Sequence, residues 1–284
     1  MDGIDKKIEP EGGAAITAKE ENGLKKFDIY KQIGPISRPN NGWTKELNYI
    51  SWDDREPVYD IRTWNEDHTA YGKGVTVTAG EMVVLKELLK KYGHIWILGY
   101  GFIYLPWFMH LEKTVTSNYH IMHSSLDDMI PFNEYFVIPY LLWFAYVTAA
   151  IAYLFFKNKE EYYRLCAFLF TGMTLSLLIC TLFPNGTDLR TAVDPDKNLC
   201  SRLVYMLHQA DTNTNVFPSI HVYNSIGTHI AVMKSESLKK HKVIRILSGI
   251  LMVAICIATV SLKQHSVLDV AGAILLSAAI YPLV

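Results

Sequence analysis

Cysteine is scarce in this chain of 284 residues: Cys166, Cys180, Cys200 and Cys256 lie far apart, with no CxxC pair. That spacing excludes a disulfide framework and a zinc knuckle. Charge is scarce too, at 19% of residues with a net charge of -1, so no overall polybasic field marks nucleic acid or anionic lipid as the partner. The first 90 residues hold no apolar run long enough for the core of a signal peptide, and none is expected. What is abundant is apolar side chain, 50% of residues, which excludes a disordered chain. The mean hides a division. Residues 1 to 91 carry 14 basic and 16 acidic groups, whereas residues 92 to 284 carry 13 and 12 over twice the length. Two kinds of chain meet near residue 91.

Charge-free intervals at 92 to 111, 135 to 156 and 165 to 187 each approach the ~20 apolar residues that a helix needs to cross a hydrocarbon core. Three weaker intervals follow at 218 to 233, 246 to 262 and 266 to 284, as suits helices with a wet or catalytic inner face. The second half therefore reads as an all-α bundle of six transmembrane helices. Eleven Lys and Arg lie in one set of short connections, from Lys86 to Arg245, and five in the opposite set: Lys113, Arg190, Lys197, Arg202 and Lys263. Positive residues stay on the cytoplasmic side. The N-terminus is thus expected in the cytoplasm, in a plasma (inner) membrane, with loops 112 to 134, 184 to 217 and 262 to 265 outside. No polar tail follows the last apolar run, so the natural chain is expected to continue past Val284.

Three pieces of sequence on the outer face suggest phosphoryl transfer. Phe217-Pro218-Ser219-Ile220-His221 opens the fourth interval. The free amides of a helix start, with the Ser219 hydroxyl, make a phosphate seat, and His221 beside it suits a general acid. Ser261-Leu262-Lys263-Gln264-His265-Ser266-Val267-Leu268-Asp269 opens the last interval. His265 and Asp269, four apart, share a helix face, where a carboxylate holding one ring nitrogen makes the other nucleophilic. Arg190, in Phe183-Pro184-Asn185-Gly186-Thr187-Asp188-Leu189-Arg190, can clamp phosphate oxygens. A second HxxxD pair, His123 and Asp127 in the first outer loop, shows how easily that spacing arises by chance. The plain alternative for either histidine alone is a polar contact between helices.

These residues resemble the type 2 phosphatidic acid phosphatase superfamily, which includes vanadium haloperoxidases and inositolphosphotransferases, over about residues 92 to 284. The family's PSGH motif matches Pro218, Ser219 and His221, with Ile220 in place of glycine as in the inositolphosphotransferase-like branch. Its SRxxxxxHxxxD motif matches His265 and Asp269, with Ala258 and Thr259 at the Ser and Arg positions. Of KxxxxxxRP it keeps Arg190, with Phe183 and Thr191 replacing Lys and Pro. The resemblance implies that His265 attacks phosphorus, Asp269 orients it, and His221 protonates the leaving oxygen. Arg190, Ser219 and Lys263 would hold the phosphate oxygens, Lys263 standing in for the absent cations. The implied substrate is a lipid phosphate at the outer interface; no metal or cofactor is called for. Hydrolysis and headgroup transfer differ only in the acceptor, and both stay open.

Residues 1 to 24 read as a flexible, disordered tail. Alternating runs near 27 to 37, 44 to 52, 58 to 64 and 75 to 78, with turn residues at 39 to 42, 53 to 57 and 72 to 74, predict a four-stranded antiparallel sheet. Thr78 and Glu81 form a capping box for a helix through Lys91. So small a domain, 25 to 91, gains from pairing as a homodimer. Its expected outward residues interleave rings and cations: Trp43, Lys45, Trp52, Tyr59, Arg62, Trp64 and Lys73. Such a surface suits single-stranded nucleic acid; alternatively Trp52 and Trp64 simply fill the core. The runs Gly42-Trp43-Thr44-Lys45-Glu46-Leu47-Asn48, Ser51-Trp52, Tyr59-Asp60-Ile61-Arg62-Thr63-Trp64 and Gly72-Lys73-Gly74-Val75-Thr76 resemble the bacterial branch of the transcriptional positive cofactor family. That family is a dimeric single-stranded-DNA-binding fold, and the likeness implies DNA contact by the aromatic and basic strand positions. The chain thus reads as a multi-domain membrane phosphatase or phosphotransferase carrying a cytoplasmic DNA-binding module. The alternative is a membrane-tethered DNA-binding or transcription regulator whose phosphatase-like half is a degraded anchor.

Overall fold

A computed structural model describes residues 16–18, 26–37 and 41–283 and divides the chain into two compact units, residues 1–93 and 94–284. In the first unit an antiparallel sheet runs in sequence order: β1 (Ile16–Ala18), β2 (Phe27–Ser37), β3 (Thr44–Trp52), β4 (Val58–Trp64) and β5 (Tyr71–Val77). Four strands are those the alternation predicts. The fifth corrects the expectation for the tail, because Ile16–Ala18 pairs with Phe27–Ile29; the rest of residues 1–24 lies outside the described residues. A second correction concerns Gly72 and Gly74, expected in a turn but found inside β5. A Cβ on Gly74 would lie 2.6 Å from the Ile61 carbonyl oxygen, so the glycine marks close approach of two strands. The turn is instead made by Asn65, whose Oδ1 accepts the Ala70 amide at 2.8 Å.

Phe27, Ile29, Ile50 and Trp64 form the core of this unit, with Trp52, Val58 and Tyr71 packed against them. Helix α1 (Ala79–Tyr92) begins as expected: the Glu81 amide donates to Thr78 Oγ1 at 3.2 Å and the Thr78 amide to Glu81 Oε2 at 2.8 Å. None of the residues of α1 is buried.

The second unit is helical. Its elements are a 3-10 segment (Gly93–Tyr100), α2 (Gly101–Thr114), α3 (Ser125–Met129), a 3-10 turn (Glu134–Phe136), α4 (Val137–Lys157), α5 (Lys159–Leu182), α6 (Leu199–Ala210), α7 (Ile220–Lys234), α8 (Lys242–Ser261) and α9 (Val267–Ile280). Among the described residues three stretches, Glu134–Lys157, Lys159–Leu182 and Lys242–Ser261, are long and apolar enough to cross a membrane, and Val267–Leu283 is a shorter apolar helix. The interval 92 to 111 is not one α-helix, since Gly93–Tyr100 winds as 3-10 and Pro106 removes an amide from α2. The α6 helix was hidden in what reads as a loop; Asn198 caps it by accepting the Ser201 amide at 2.8 Å.

Packing centres on α5, α7 and α9. Tyr223 of α7 stacks on Phe168 of α5 with ring centroids 4.6 Å apart and donates its hydroxyl to the Phe168 carbonyl at 2.9 Å. An aromatic pair of this kind adds about 0.5–1.5 kcal/mol beyond its area. Burying the hydroxyl costs little because it is bonded.

Candidate active site and candidate nucleic-acid interface

The three sequence pieces, distant along the chain, are tied to one another by direct hydrogen bonds. Asn185, just after α5, accepts the Phe217 amide on its Oδ1 at 2.8 Å. Ser219, the N-cap of α7, donates its amide to the Asp269 carbonyl at 3.2 Å. Arg190 donates to Gln264 Oε1 at 2.8 Å, next to His265. Gly272 of α9 lets Phe217 lie against the helix, since a Cβ there would sit 2.4 Å from the ring.

At their meeting point the rings of His221 and His265 lie 5.7 Å apart. His265 is buried, and its Nδ1 is 3.3 Å from Asp269 Oδ2, which also accepts the Ser266 amide at 2.8 Å. The capping box of Ser266 and Asp269 at the start of α9 thus fixes the carboxylate that faces the imidazole. With Nδ1–H pointing at a carboxylate, the Nε2 lone pair is the nucleophilic end. His221 packs between Tyr140 and Trp143 of α4, with centroids at 4.5 and 4.4 Å. Its Nδ1 and Asp269 Oδ1 are buried with no hydrogen-bond partner among the described residues.

Arg190 reaches the same place. Its terminal nitrogens donate to the carbonyls of Asp211 and Thr212 at 2.7 and 2.6 Å, and its Nε is buried without a partner among the described residues. Burial lowers its pKa from the ordinary value while Asp211, 3.9 Å away, acts the other way. A guanidinium stays charged through such a shift. Burial, then Glu112, raises the Asp211 pKa. His208 falls to about 4 through burial and the charge of Arg190, so its neutral Nε2 accepts the Gln264 side-chain amide at 2.9 Å. Ser219 is fully buried, and its hydroxyl accepts the Val222 amide at 3.4 Å.

Lys263 is placed differently from the rest. Its backbone has φ 58, and its Nζ donates to the Asp127 carbonyl at 2.5 Å. Phe183 and Thr259, which stand where the sequence resemblance implies cations, are also engaged. Phe183 stacks on His120 at 4.1 Å, and the Thr259 carbonyl accepts the amides of Gln264 and His265, both at 3.1 Å. Asp127 was noted in the sequence only as a chance partner for His123, and Gln264, His208 and Asp211 were not singled out as site residues. Their partners are remote along the chain, and no local spacing marks them.

In the sheet domain the expected interface divides. Trp64 is fully buried, which corrects its reading as an outward residue. Alternation along β3 and β4 puts Trp52, Arg62 and Trp64 on one face and Lys45 and Tyr59 on the other. Arg62 lies 4.0 Å over the Trp52 ring and is held by both oxygens of the buried Asp60, at 2.5 and 2.7 Å. Tyr59 pairs with Tyr49 at 5.1 Å. Lys45 and Lys73 are exposed, and Trp43 is half-buried.

No protein-family model matches the chain. It is 44% identical over 63 residues, 22% of its own length and 74% of the relative's, to a protein described as "Uncharacterized protein" from Treponema pallidum (strain Nichols). Over those residues the chain belongs to one family with that Treponema protein.

Proposed function

We propose that residues 94–284 form an integral membrane phosphoryl-transfer enzyme acting on a lipid phosphate through a phosphohistidine, in the manner of the type 2 phosphatidic acid phosphatases. The observation that carries this reading is the approach of His221 and His265 to 5.7 Å, with Asp269 Oδ2 3.3 Å from the His265 Nδ1. In the reaction His265 Nε2 forms a bond to phosphorus as the bond to the leaving oxygen breaks, and His221 gives that oxygen its proton. Water or an alcohol then attacks phosphorus, returns a proton to His221 and frees His265. Arg190, held by two carbonyls and Gln264, is the fixed cation for the phosphate oxygens. The uneven count of Lys and Arg, eleven against five, supports a cytoplasmic N-terminus and a site across the bilayer.

The sheet domain is proposed to bind single-stranded nucleic acid through the exposed Lys45 and Lys73 with Trp43 and Tyr59. Exposure of Val83, Val84, Leu85, Leu88 and Leu89 on α1 supports pairing of two copies. A second reading, a tethered DNA-binding protein with a degraded anchor, is favoured by Phe183 and Thr259 standing where the family has cations. His265→Ala separates the two. In detergent, release of phosphate from short-chain lipid phosphates falls to background if the first reading holds, and equal rates in variant and parent refute it.

A further inference from the structure

Asp127 is a buried carboxylate beside the site that the mechanism leaves unused. The spacing that pairs it with His123 is not realised: His123 bonds Asp128 at 3.0 Å and Asp188 at 2.9 Å instead. Asp127, only 1% exposed, turns toward the segment between α8 and α9 that carries His265. Its Oδ1 accepts the Val267 amide at 2.8 Å, and its Oδ2 accepts the Ser266 hydroxyl at 2.6 Å and the Ser124 amide at 2.8 Å. Its carbonyl accepts Lys263 Nζ at 2.5 Å. One residue of α3 thus holds three of the five residues from Lys263 to Val267.

We propose that Asp127 is the positioning residue for the nucleophile, a clamp that keeps the His265 ring on Asp269; the proposal rests on the phosphoryl-transfer reading of His265. Lys263 occupies the left-handed region at φ 58, which a non-glycine residue adopts only when its surroundings enforce it. Its bond to the Asp127 carbonyl supplies that constraint. The Ser266 hydroxyl proton is committed to Asp127, so its lone pairs face the first turn of α9, accepting the Leu268 amide at 3.1 Å. That cap places Asp269, whose Oδ2 meets His265 Nδ1 at 3.3 Å. The contact is already long, so a shift of a few tenths of an ångström in the turn breaks it. The carboxylate also sits at the positive end of α9, where a charge that needs partners finds them. Asp127 touches no reacting atom in this arrangement. It acts through Ser266 and Asp269.

The test uses the full chain in detergent with Asp127→Asn, Asp127→Glu and Lys263→Gln, alongside His265→Ala. Asp127→Asn leaves one of the three side-chain bonds without an acceptor; kcat should fall roughly 10- to 100-fold with KM within about twofold. Lys263→Gln should give a smaller fall of the same kind, and Asp127→Glu should recover part of the loss. A second readout does not depend on activity: the 15N resonances of the His265 ring should move in Asp127→Asn. An unchanged kcat or unchanged ring resonances in a folded Asp127→Asn overturns the clamp. If His265→Ala matches the parent, the phosphoryl-transfer reading fails by itself, and the ring resonances then decide the clamp: movement supports it and constancy overturns it.

Discussion

Replacing Asp269 by asparagine removes a charge and almost nothing else. Asp269 Oδ2 does two jobs, accepting the Ser266 amide at 2.8 Å and facing His265 Nδ1 at 3.3 Å. An amide oxygen in its place keeps both contacts. The new nitrogen replaces Oδ1, which has no hydrogen-bond partner among the described residues, so the cap of α9 survives. In the proposed reaction the ring becomes cationic as Nε2 bonds to phosphorus. A unit charge 3.3 Å from a carboxylate is worth about 5 kcal/mol at an effective dielectric of about 20. Part of that attraction already acts before the reaction through the Nδ1–H dipole, leaving about 3 kcal/mol that is specific to the transition state, a loss of roughly 10²-fold in rate. Asp269→Ala would in addition break the return bond of the capping box, from the Ser266 amide, which makes it the poorer probe. The assay is the initial rate of phosphate release from a short-chain lipid phosphate, with thermal unfolding of the same preparations. A folded Asp269→Asn that keeps more than about a third of the parent rate while His265→Ala is inactive refutes the role given to the carboxylate.

Two further outcomes are expected. His123 has its pKa raised by its bonds to Asp128 and then Asp188, so the stabilisation it gives is fully present below its unfolded pKa and is lost as pH rises through its folded pKa. The thermal stability of His123→Gln should accordingly fall short of the parent at pH 5.5 and approach it at alkaline pH; a gap that widens with pH contradicts a stabilising pairing of His123 with Asp128 and Asp188. In the sheet domain, Lys45→Gln and Lys73→Gln should each reduce the slope of log affinity against log salt by about 0.7 for a single-stranded oligonucleotide. Fluorescence anisotropy with the full chain measures this, and an unaltered slope in the double variant removes both lysines from the interface.

The legible parts of this chain are those whose cause is local. The capping box of Thr78 and Glu81 is an i, i+3 signal, and the structure forms both of its bonds. The runs at 27–37, 44–52 and 58–64 alternate, and each is a strand with those bounds. Parity was available in the same alternation, yet rings and cations were pooled across it, which put the fully buried Trp64 on a surface with Lys45. Hydropathy misread 92 to 111 because counting charges says nothing of backbone hydrogen bonding, which there changes from 3-10 to α at Gly101. In the site, His221, His265 and Asp269 carry spacing, and the structure brings them together. Asp127 carried a spacing that pointed to the wrong partner, His123; the groups it holds lie 139 and 140 residues further on.

A worn-out anchor and a working site make different demands on buried polar groups. Helices that only hold a protein in a bilayer gain from apolar packing, and exchanging buried ionic groups for well-packed apolar side chains is often neutral or stabilising. The region around His221 and His265 runs against that trend. Asp269 is fully buried and Asp127 nearly so. Four atoms around the two rings, His221 Nδ1, Trp143 Nε1, Asp269 Oδ1 and Arg190 Nε, are buried with no hydrogen-bond partner among the described residues. A buried bond left unmade costs about 1–3 kcal/mol unless a ligand or water supplies the partner. A membrane anchor gains nothing in return for that cost, whereas a site for a polar ligand does, because the ligand or its water supplies the missing partners. Nine further such atoms lie on other described residues, so it is the pairing of His221 with His265 beside the fully buried Asp269, rather than the number of unmet groups, that favours the proposed enzyme over the degraded anchor, in spite of Phe183 and Thr259.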